Sequence, residues 1–174
     1  MHVPGIKTES AVRAAVLAPI FEREGELHLV FIERSTDMPV HSGQVAFPGG
    51  VCRPEDGTAL ATALREAEEE IALRPSDVTV VATLPDVHTM TSGFVITPFI
   101  ARIPDGYPFL ANPREVAGIF STPLAELRDP ARRRRILRTL SDGTEREVPA
   151  FFVGAHVIWG ATEAIATEVL NAAL

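Results

Sequence analysis

The hydrophobic and polar positions fall into short apolar runs broken by turn residues, with one strongly periodic segment among them. Residues 11–21 (AVRAAVLAPIF) are rich in Ala, Val, Leu and Ile, which predicts a buried strand ending near Pro19. After the polar turn 22–26, residues 27–34 (LHLVFIER) predict a second strand, paired with the first as a hairpin. Residues 35–42 carry Pro39 and read as irregular, and 44–47 predict a short strand stopped by Pro48-Gly49-Gly50. Within 47–73, Leu60, Leu64, Ala67 and Ile71 recur three or four apart. That is the spacing of an amphipathic helix with one buried side.

Further strands are predicted at 78–84 and 94–103, with Pro98 pointing to an edge strand or a bulge. Residues 115–120 predict another strand and 123–127 a single helical turn. Segments 132–140 and 146–153 flank Ser141-Asp142-Gly143-Thr144, whose Asp-Gly pair signals a hairpin. After Trp159-Gly160-Ala161-Thr162, a closing helix takes its apolar stripe from Ile165, Val169, Leu170 and Ala173. There is no repeat, no low-complexity tract and no linker long enough to divide the chain. The pattern predicts one domain over residues 1–174, built as a mixed sheet with two main helices.

Charge narrows the classes of partner. The net charge of −7 argues against general nucleic-acid binding, which leaves a basic footprint. It does not exclude an anionic small molecule if a metal ion supplies local positive charge. The run Arg132-Arg133-Arg134-Arg135 lies at the start of a predicted strand, so alternate members face solvent and acidic neighbours. The single cysteine, Cys52, excludes an intramolecular disulfide framework and fits a reducing cytoplasm. No pattern around it suggests a nucleophile, and it reads as a plain loop thiol. No apolar run reaches spanning length and residues 1–10 hold no apolar targeting core, so the expectation is a cytoplasmic protein without a membrane partner. Oligomeric state is left open.

The periodic segment carries the chemistry. In Arg65-Glu66-Ala67-Glu68-Glu69-Glu70, an advance of about 100° per residue places Glu66, Glu69 and Glu70 on one side and turns Glu68 away. Such crowding costs a few tenths of a kcal/mol per pair, roughly. Arg65 could offset it by ion pairing, or a hard divalent cation could bind several of the oxygens. A solvated acidic face is the plainer reading. The position behind Pro48-Gly49-Gly50 and a turn rich in Pro, Asp and Gly favours a site.

In that context the stretch resembles the signature box of the Nudix hydrolases. Gly50 fits its opening glycine, Asp56 its acidic position, and Arg65-Glu66-Ala67-Glu68-Glu69-Glu70-Ile71-Ala72-Leu73 the remainder. Asp56 stands for the usual Glu, one extra residue separates it from Arg65, and Ala72 replaces the closing Gly. Ala resists the left-handed C-terminal conformation, so the helix is expected to end less sharply. The resemblance implies an α+β fold, an α/β/α sandwich with a mixed sheet flanked by helices. It also implies hydrolysis of a pyrophosphate bond with Mg²⁺ or Mn²⁺. Glu66 and Glu70, one turn apart, are the first choice as metal ligands and Glu69 the third. Arg65 is expected to orient one of these carboxylates, and the Gly49 carbonyl is a further candidate ligand. The base that takes the proton of water is Glu69, Glu66 or a glutamate from a later loop, such as Glu115.

A second set of residues resembles the extra motif of the coenzyme A pyrophosphatase branch: Arg34-Ser35, then His41-Ser42-Gly43-Gln44-Val45-Ala46-Phe47-Pro48-Gly49-Gly50. Ile32 stands where Thr is typical and Pro39 where an Arg is expected. The inserted residue before Arg65 and the segment Ile158-Trp159-Gly160-Ala161-Thr162 also resemble that branch. The resemblance implies cleavage of CoA or acyl-CoA to 4′-phosphopantetheine, or its acyl form, and adenosine 3′,5′-bisphosphate. Arg34 is a candidate for a substrate phosphate, the 3′-phosphate above all, because a guanidinium contacts phosphate bidentately; its other reading is a surface arginine at a strand end. His41 is expected to order its loop, Gly49 and Gly50 to let the backbone approach a ligand, and Trp159 to belong to the core. Two alternatives stand beside this. One is hydrolysis of ADP-ribose, a dinucleotide or a nucleoside triphosphate. The other is a module that binds a nucleotide without cleaving it, against which the complete Arg65-Glu66-Glu69-Glu70 set speaks.

Overall fold

The computed structural model describes residues 11–36, 43–89, 92–140 and 143–174. Pro39, His41 and the Ser141-Asp142 half of the hairpin turn lie outside the described residues. In chain order the first half runs β1 (Val12–Arg23), β2 (Glu26–Arg34), β3 (Val45–Ala46), β4 (Gly49–Val51), α1 (Ala59–Ile71), β5 (Thr79–Thr83) and β6 (Val87–His88). The second half runs β7 (Phe94–Arg102), β8 (Val116–Pro123), α2 (Leu124–Arg128), β9 (Arg133–Thr139), β10 (Glu145–Val153), β11 (His156–Trp159) and α3 (Gly160–Asn171).

The expected hairpin forms: β1 and β2 pair antiparallel, with Ile20 opposite Leu29. Glu24 and Gly25 at its tip both take positive φ, 54° and 79°, which suits the right-handed twist of the flanking strands. On its other side β1 pairs in parallel with β7, and β8 lines β2 with Phe31 opposite Phe120. The result is the mixed eight-stranded sheet, with β9, β10 and β11 forming a smaller antiparallel sheet.

Alternation along β1 and β2 divides the core into two layers. Ala15, Leu17, Val30 and Ile32 pack on one face against Ala63, Ala67 and Ile71 of α1. Ile20, Leu29 and Phe31 pack on the other against Phe151, Ile158, Ile165 and Val169 of the small sheet and α3. This is the sandwich expected from the sequence, with α1 on one face and the small sheet and α3 on the other. Among the described residues no helix is long and apolar enough to cross a membrane.

One detail of the sheet positions everything that follows. β1 and β2 pair only near their hairpin and then part. β4 pairs with β1 through Ala14–Val16, β3 pairs with β2 at Ile32 and Glu33, and the N–H of Leu17 donates to the Pro48 carbonyl at 2.8 Å. Residues 45–51 thus form a wedge in the split end of the sheet, carrying Gly49 and Gly50 to the face covered by α1.

Two expectations are corrected. Pro98 lies neither in an edge strand nor at a bulge of its own: β7 has β1 on one side and β5 and β6 on the other. Its carbonyl accepts from Leu84 N–H at 2.9 Å, where the outer strand is interrupted between β5 and β6. The missing N–H faces that gap, so no ladder bond is lost. The other correction concerns the end of α1, which is sharp. Ala72 adopts the left-handed conformation (φ 56°, ψ 30°), Ala72 N–H donates to Glu68 carbonyl at 3.0 Å, and Leu73 N–H to Ala67 carbonyl at 3.3 Å. Full burial of Leu73 holds the turn that glycine would favour. The arginine run alternates only within β9: Arg133 meets Glu163 at 2.6 Å and Arg135 meets Glu147 at 3.3 Å, while Arg134 lies over the Phe152 ring. Arg132, in the turn before the strand, also meets an acidic residue, Glu126, at 3.3 Å.

Candidate active site

The site is built from the two ends of α1. A turn at Pro54–Asp56 precedes the helix, and Thr58 caps it by accepting from Ala61 N–H at 3.1 Å. Asp56 then gathers four donors: Arg53 N–H at 2.9 Å, the Thr62 hydroxyl at 2.7 Å, and Arg65 through Nε at 2.7 Å and Nη2 at 3.0 Å. These contacts, led by Arg65, hold the Asp56 carboxyl well below the usual carboxylate range and raise the guanidinium in turn. With its fork fixed, Arg65 donates through Nη1 to Glu66 Oε1 at 2.7 Å and to Glu69 Oε2 at 3.2 Å. The arginine is therefore a strut between the turn before the helix and the carboxylates on it.

Glu66 and Glu70, one turn apart, both face inward and are buried. Glu115, in the loop just before β8, completes a group whose carboxylate oxygens lie within 4.8 Å of one another. Each member is held by a separate device. Glu66 takes the bond from Arg65, and Glu70 Oε2 accepts from Gly49 N–H at 3.0 Å. Glu115 Oε1 accepts from Asn112 Nδ2 at 3.1 Å, while the N–H of Asn112 donates to the Glu70 carbonyl at 2.8 Å. Burial pushes the Glu70 carboxyl up to about 8; Glu66 and Glu115 add to the rise, and Gly49 N–H and Arg34 oppose it. Burial of Glu70 beside two other carboxylates outweighs the opposing Arg34 and Gly49 N–H, so its protonated form is favoured. A hard divalent cation would neutralise the group, and an all-oxygen set of this size suits Mg²⁺ or Mn²⁺.

The glycines explain how the wedge reaches the helix. Neither has a positive φ. A β-carbon on Gly50 would lie 2.6 Å from both Cδ and Oε1 of Glu66, and one on Gly49 would run into the Ala15 carbonyl and the Val16 backbone. Both are needed for close approach, Gly50 to a catalytic-helix carboxylate and Gly49 to the neighbouring strand.

Of the site residues named from the sequence, Glu66, Glu70, Glu115, Arg65, Gly49, Gly50 and Arg34 are brought to one place. Arg34 Nη1 stands 3.9 Å from Glu70 Oε1, and its Nε is buried without a hydrogen-bond partner among the described residues. Glu69 is turned outward: its side chain is 42% exposed and it pairs with Arg65 and Arg53 instead of joining the three-carboxylate group. This corrects the expectation that Glu69 shares the ligand side: it lies about 100° from Glu70 around the helix, and Arg65 and Arg53 draw it outward. His41 lies outside the described residues. Asn112 was not legible; its only signal is its place in a turn, Asn112-Pro113-Arg114-Glu115.

Comparison with known proteins follows the same geometry. A sequence model of the NUDIX domain matches residues 11–140. The Nudix hydrolase NudL of Yersinia enterocolitica, itself uncharacterised, is 41% identical over 162 residues, covering 93% of this chain and 82% of that protein. Its Escherichia coli K12 counterpart is 39% identical over 157 residues, covering 90% and 80%. Among solved structures, a MutT/nudix family protein from Enterococcus faecalis superposes with a TM-score of 0.65 at 14% identity, over 98% of this chain and 64% of that one.

Proposed function

The chain belongs to the Nudix family of pyrophosphohydrolases, and we propose that its substrate is CoA or acyl-CoA, cleaved at the diphosphate. The observation that carries the hydrolase reading is the grouping of Glu66, Glu70 and Glu115 beside the Arg65 strut. The CoA reading rests on the motif Gly43-Gln44-Val45-Ala46-Phe47-Pro48-Gly49-Gly50 with Arg34-Ser35, whose residues form the wedge and end against that group.

A divalent cation held by Glu66, Glu70 and Glu115 would offset the charge of the phosphate oxygens and acidify bound water. The protein's own residues do the positioning. Arg65, anchored by Asp56, holds Glu66 in one rotamer through its Nη1 bond. Gly49 N–H fixes the carboxylate of Glu70, leaving its Oε1 toward Arg34. Arg34 brings its guanidinium to within 3.9 Å of Glu70, with an Nε that has no hydrogen-bond partner among the described residues, so it is placed to meet a substrate phosphate. Glu69, at the solvent margin beside Glu70, takes the proton of the attacking water.

The experiment is product analysis. CoA incubated with the protein and Mg²⁺ should give 4′-phosphopantetheine and adenosine 3′,5′-bisphosphate in equal amounts. Release of inorganic phosphate alone, or of no product, contradicts the reading.

A further inference from the structure

Consecutive strand residues point to opposite faces, and the end of β2 uses both. Arg34 turns toward Glu70 on the α1 face, while Glu33, across a register shift, turns into a cavity on the other face. That cavity, about 400 Å³, is lined by Glu33, Gln44 and Val45 of the main sheet and its wedge, and by Arg138, His156 and Trp159 of the small sheet. Its volume lies within the range of ligand pockets, roughly 300–1,000 Å³.

Three features distinguish it from a packing gap. The Arg138 guanidinium lies over one face of the Trp159 ring, 4.7 Å from its centroid, so the indole holds a cation in place at the cavity wall. The Nε of Arg138 is buried and has no hydrogen-bond partner among the described residues, a costly state for a charged donor. The His156 ring is stacked on Phe120 at 3.8 Å and 2°, which keeps that wall rigid. The wedge stands between the cavity and the carboxylate group and contacts residues of both. Arg34 N–H donates to the Gln44 carbonyl at 2.9 Å, and the Thr162 hydroxyl donates to the Val45 carbonyl at 3.0 Å.

A nucleoside phosphate uses all of these groups: anionic oxygens for the guanidinium, a planar base for the indole, and sugar hydroxyls or an amino group for the Glu33 carboxylate. We propose that this cavity holds the phosphorylated nucleoside half of the substrate, with Arg138 bound to its sugar phosphate and Trp159 packed on its base. The assignment rests on the nucleotide-diphosphate reading above and adds the group that reads a second phosphate.

Trp159 is the sole tryptophan, so its emission reports this cavity directly. The intact protein, free of divalent metal, is titrated with adenosine 3′,5′-bisphosphate and with adenosine 5′-monophosphate. The expected result is a saturable emission change, with the bisphosphate about ten- to a hundredfold tighter, the range for losing one charge-assisted contact. Arg138→Ala should erase that preference, and Arg138→Lys, which keeps the charge but not the planar fork, should restore part of it. No saturable change with either nucleotide overturns the proposal, as does unchanged bisphosphate affinity in Arg138→Ala with a wild-type melting temperature. Tight bisphosphate binding without hydrolysis of CoA upholds the cavity and overturns the substrate reading.

Discussion

Gly50 lies directly against Glu66: a β-carbon on the glycine would stand 2.6 Å from the carboxyl carbon, inside any real contact distance. The wedge strand and the catalytic helix therefore meet through a missing side chain. Gly50→Ala should displace a flexible carboxylate and lower kcat at least tenfold, with a small change in melting temperature. Gly49→Ala collides with strand backbone and should destabilise by about 1–3 kcal/mol, a fall of roughly 2–10 °C. Kinetics and thermal melts of both variants decide it; equal loss of activity and stability in the two would refute the distinction.

The carboxylates should rank by their place in the group. Glu66→Gln, Glu70→Gln and Glu115→Gln each remove a charge that a hard cation needs and should cost several orders of magnitude in rate, with folding retained. Divalent-ion titration should show weaker binding in these three than in Glu69→Gln, whose side chain faces Arg65 and Arg53. Undiminished turnover in Glu70→Gln, or in the presence of chelator, removes the metal assignment.

Stability should depend on pH through Glu70. Burial raises its carboxyl from an ordinary 4.5 to about 8, so the folded metal-free protein holds a proton that the unfolded chain releases. That contribution is complete below pH 4.5 and is lost as pH rises toward 8. The metal-free melting temperature should fall over that window, and Glu70→Gln should flatten the fall. Saturating Mg²⁺, which takes the proton's place, should raise it most at the alkaline end. Parallel declines in wild type and variant would contradict the assignment.

Ala72 is a small reservoir of strain at the end of α1. A left-handed alanine costs about 1–2 kcal/mol, part of which glycine returns as unfolded-chain entropy. Ala72→Gly should raise the melting temperature by about 2–4 °C, the shift for roughly 1 kcal/mol in a chain of this size. Hydrolysis should be unchanged. A lower melting temperature would show that the buried Leu73 contact depends on the alanine.

Much of this was legible because it is local. The continuous apolar run in 27–34 reports a strand buried on both faces, the three-four spacing of Leu60, Leu64, Ala67 and Ile71 reports the buried side of a helix, and β2 and α1 follow. Glu66 and Glu70 were found for the same reason, a shared helix stripe. What was hidden is set by distant chain. Glu115 was named as a possible base, but its place as third member of the carboxylate group was not, because it arrives only with β8 lining β2 and is fixed there by Asn112. Pro98 misled because its cost depends on a gap in the neighbouring strand. Asp56 read as a single acidic position, yet it anchors Arg65 across nine residues. Arg138 and Trp159 read as hairpin and core, and only the three-dimensional arrangement of β9 and β11 against the wedge brings them together at the cavity wall.

The most direct test of the central claim is kcat/KM, with Mg²⁺ and with Mn²⁺, for CoA, acetyl-CoA, 3′-dephospho-CoA, ADP-ribose and diadenosine tetraphosphate. The account predicts that CoA or acetyl-CoA leads the series and exceeds dephospho-CoA by about ten- to a hundredfold, the value of one charged phosphate contact. A wide preference for ADP-ribose or the dinucleotide would contradict it and make one of those the substrate.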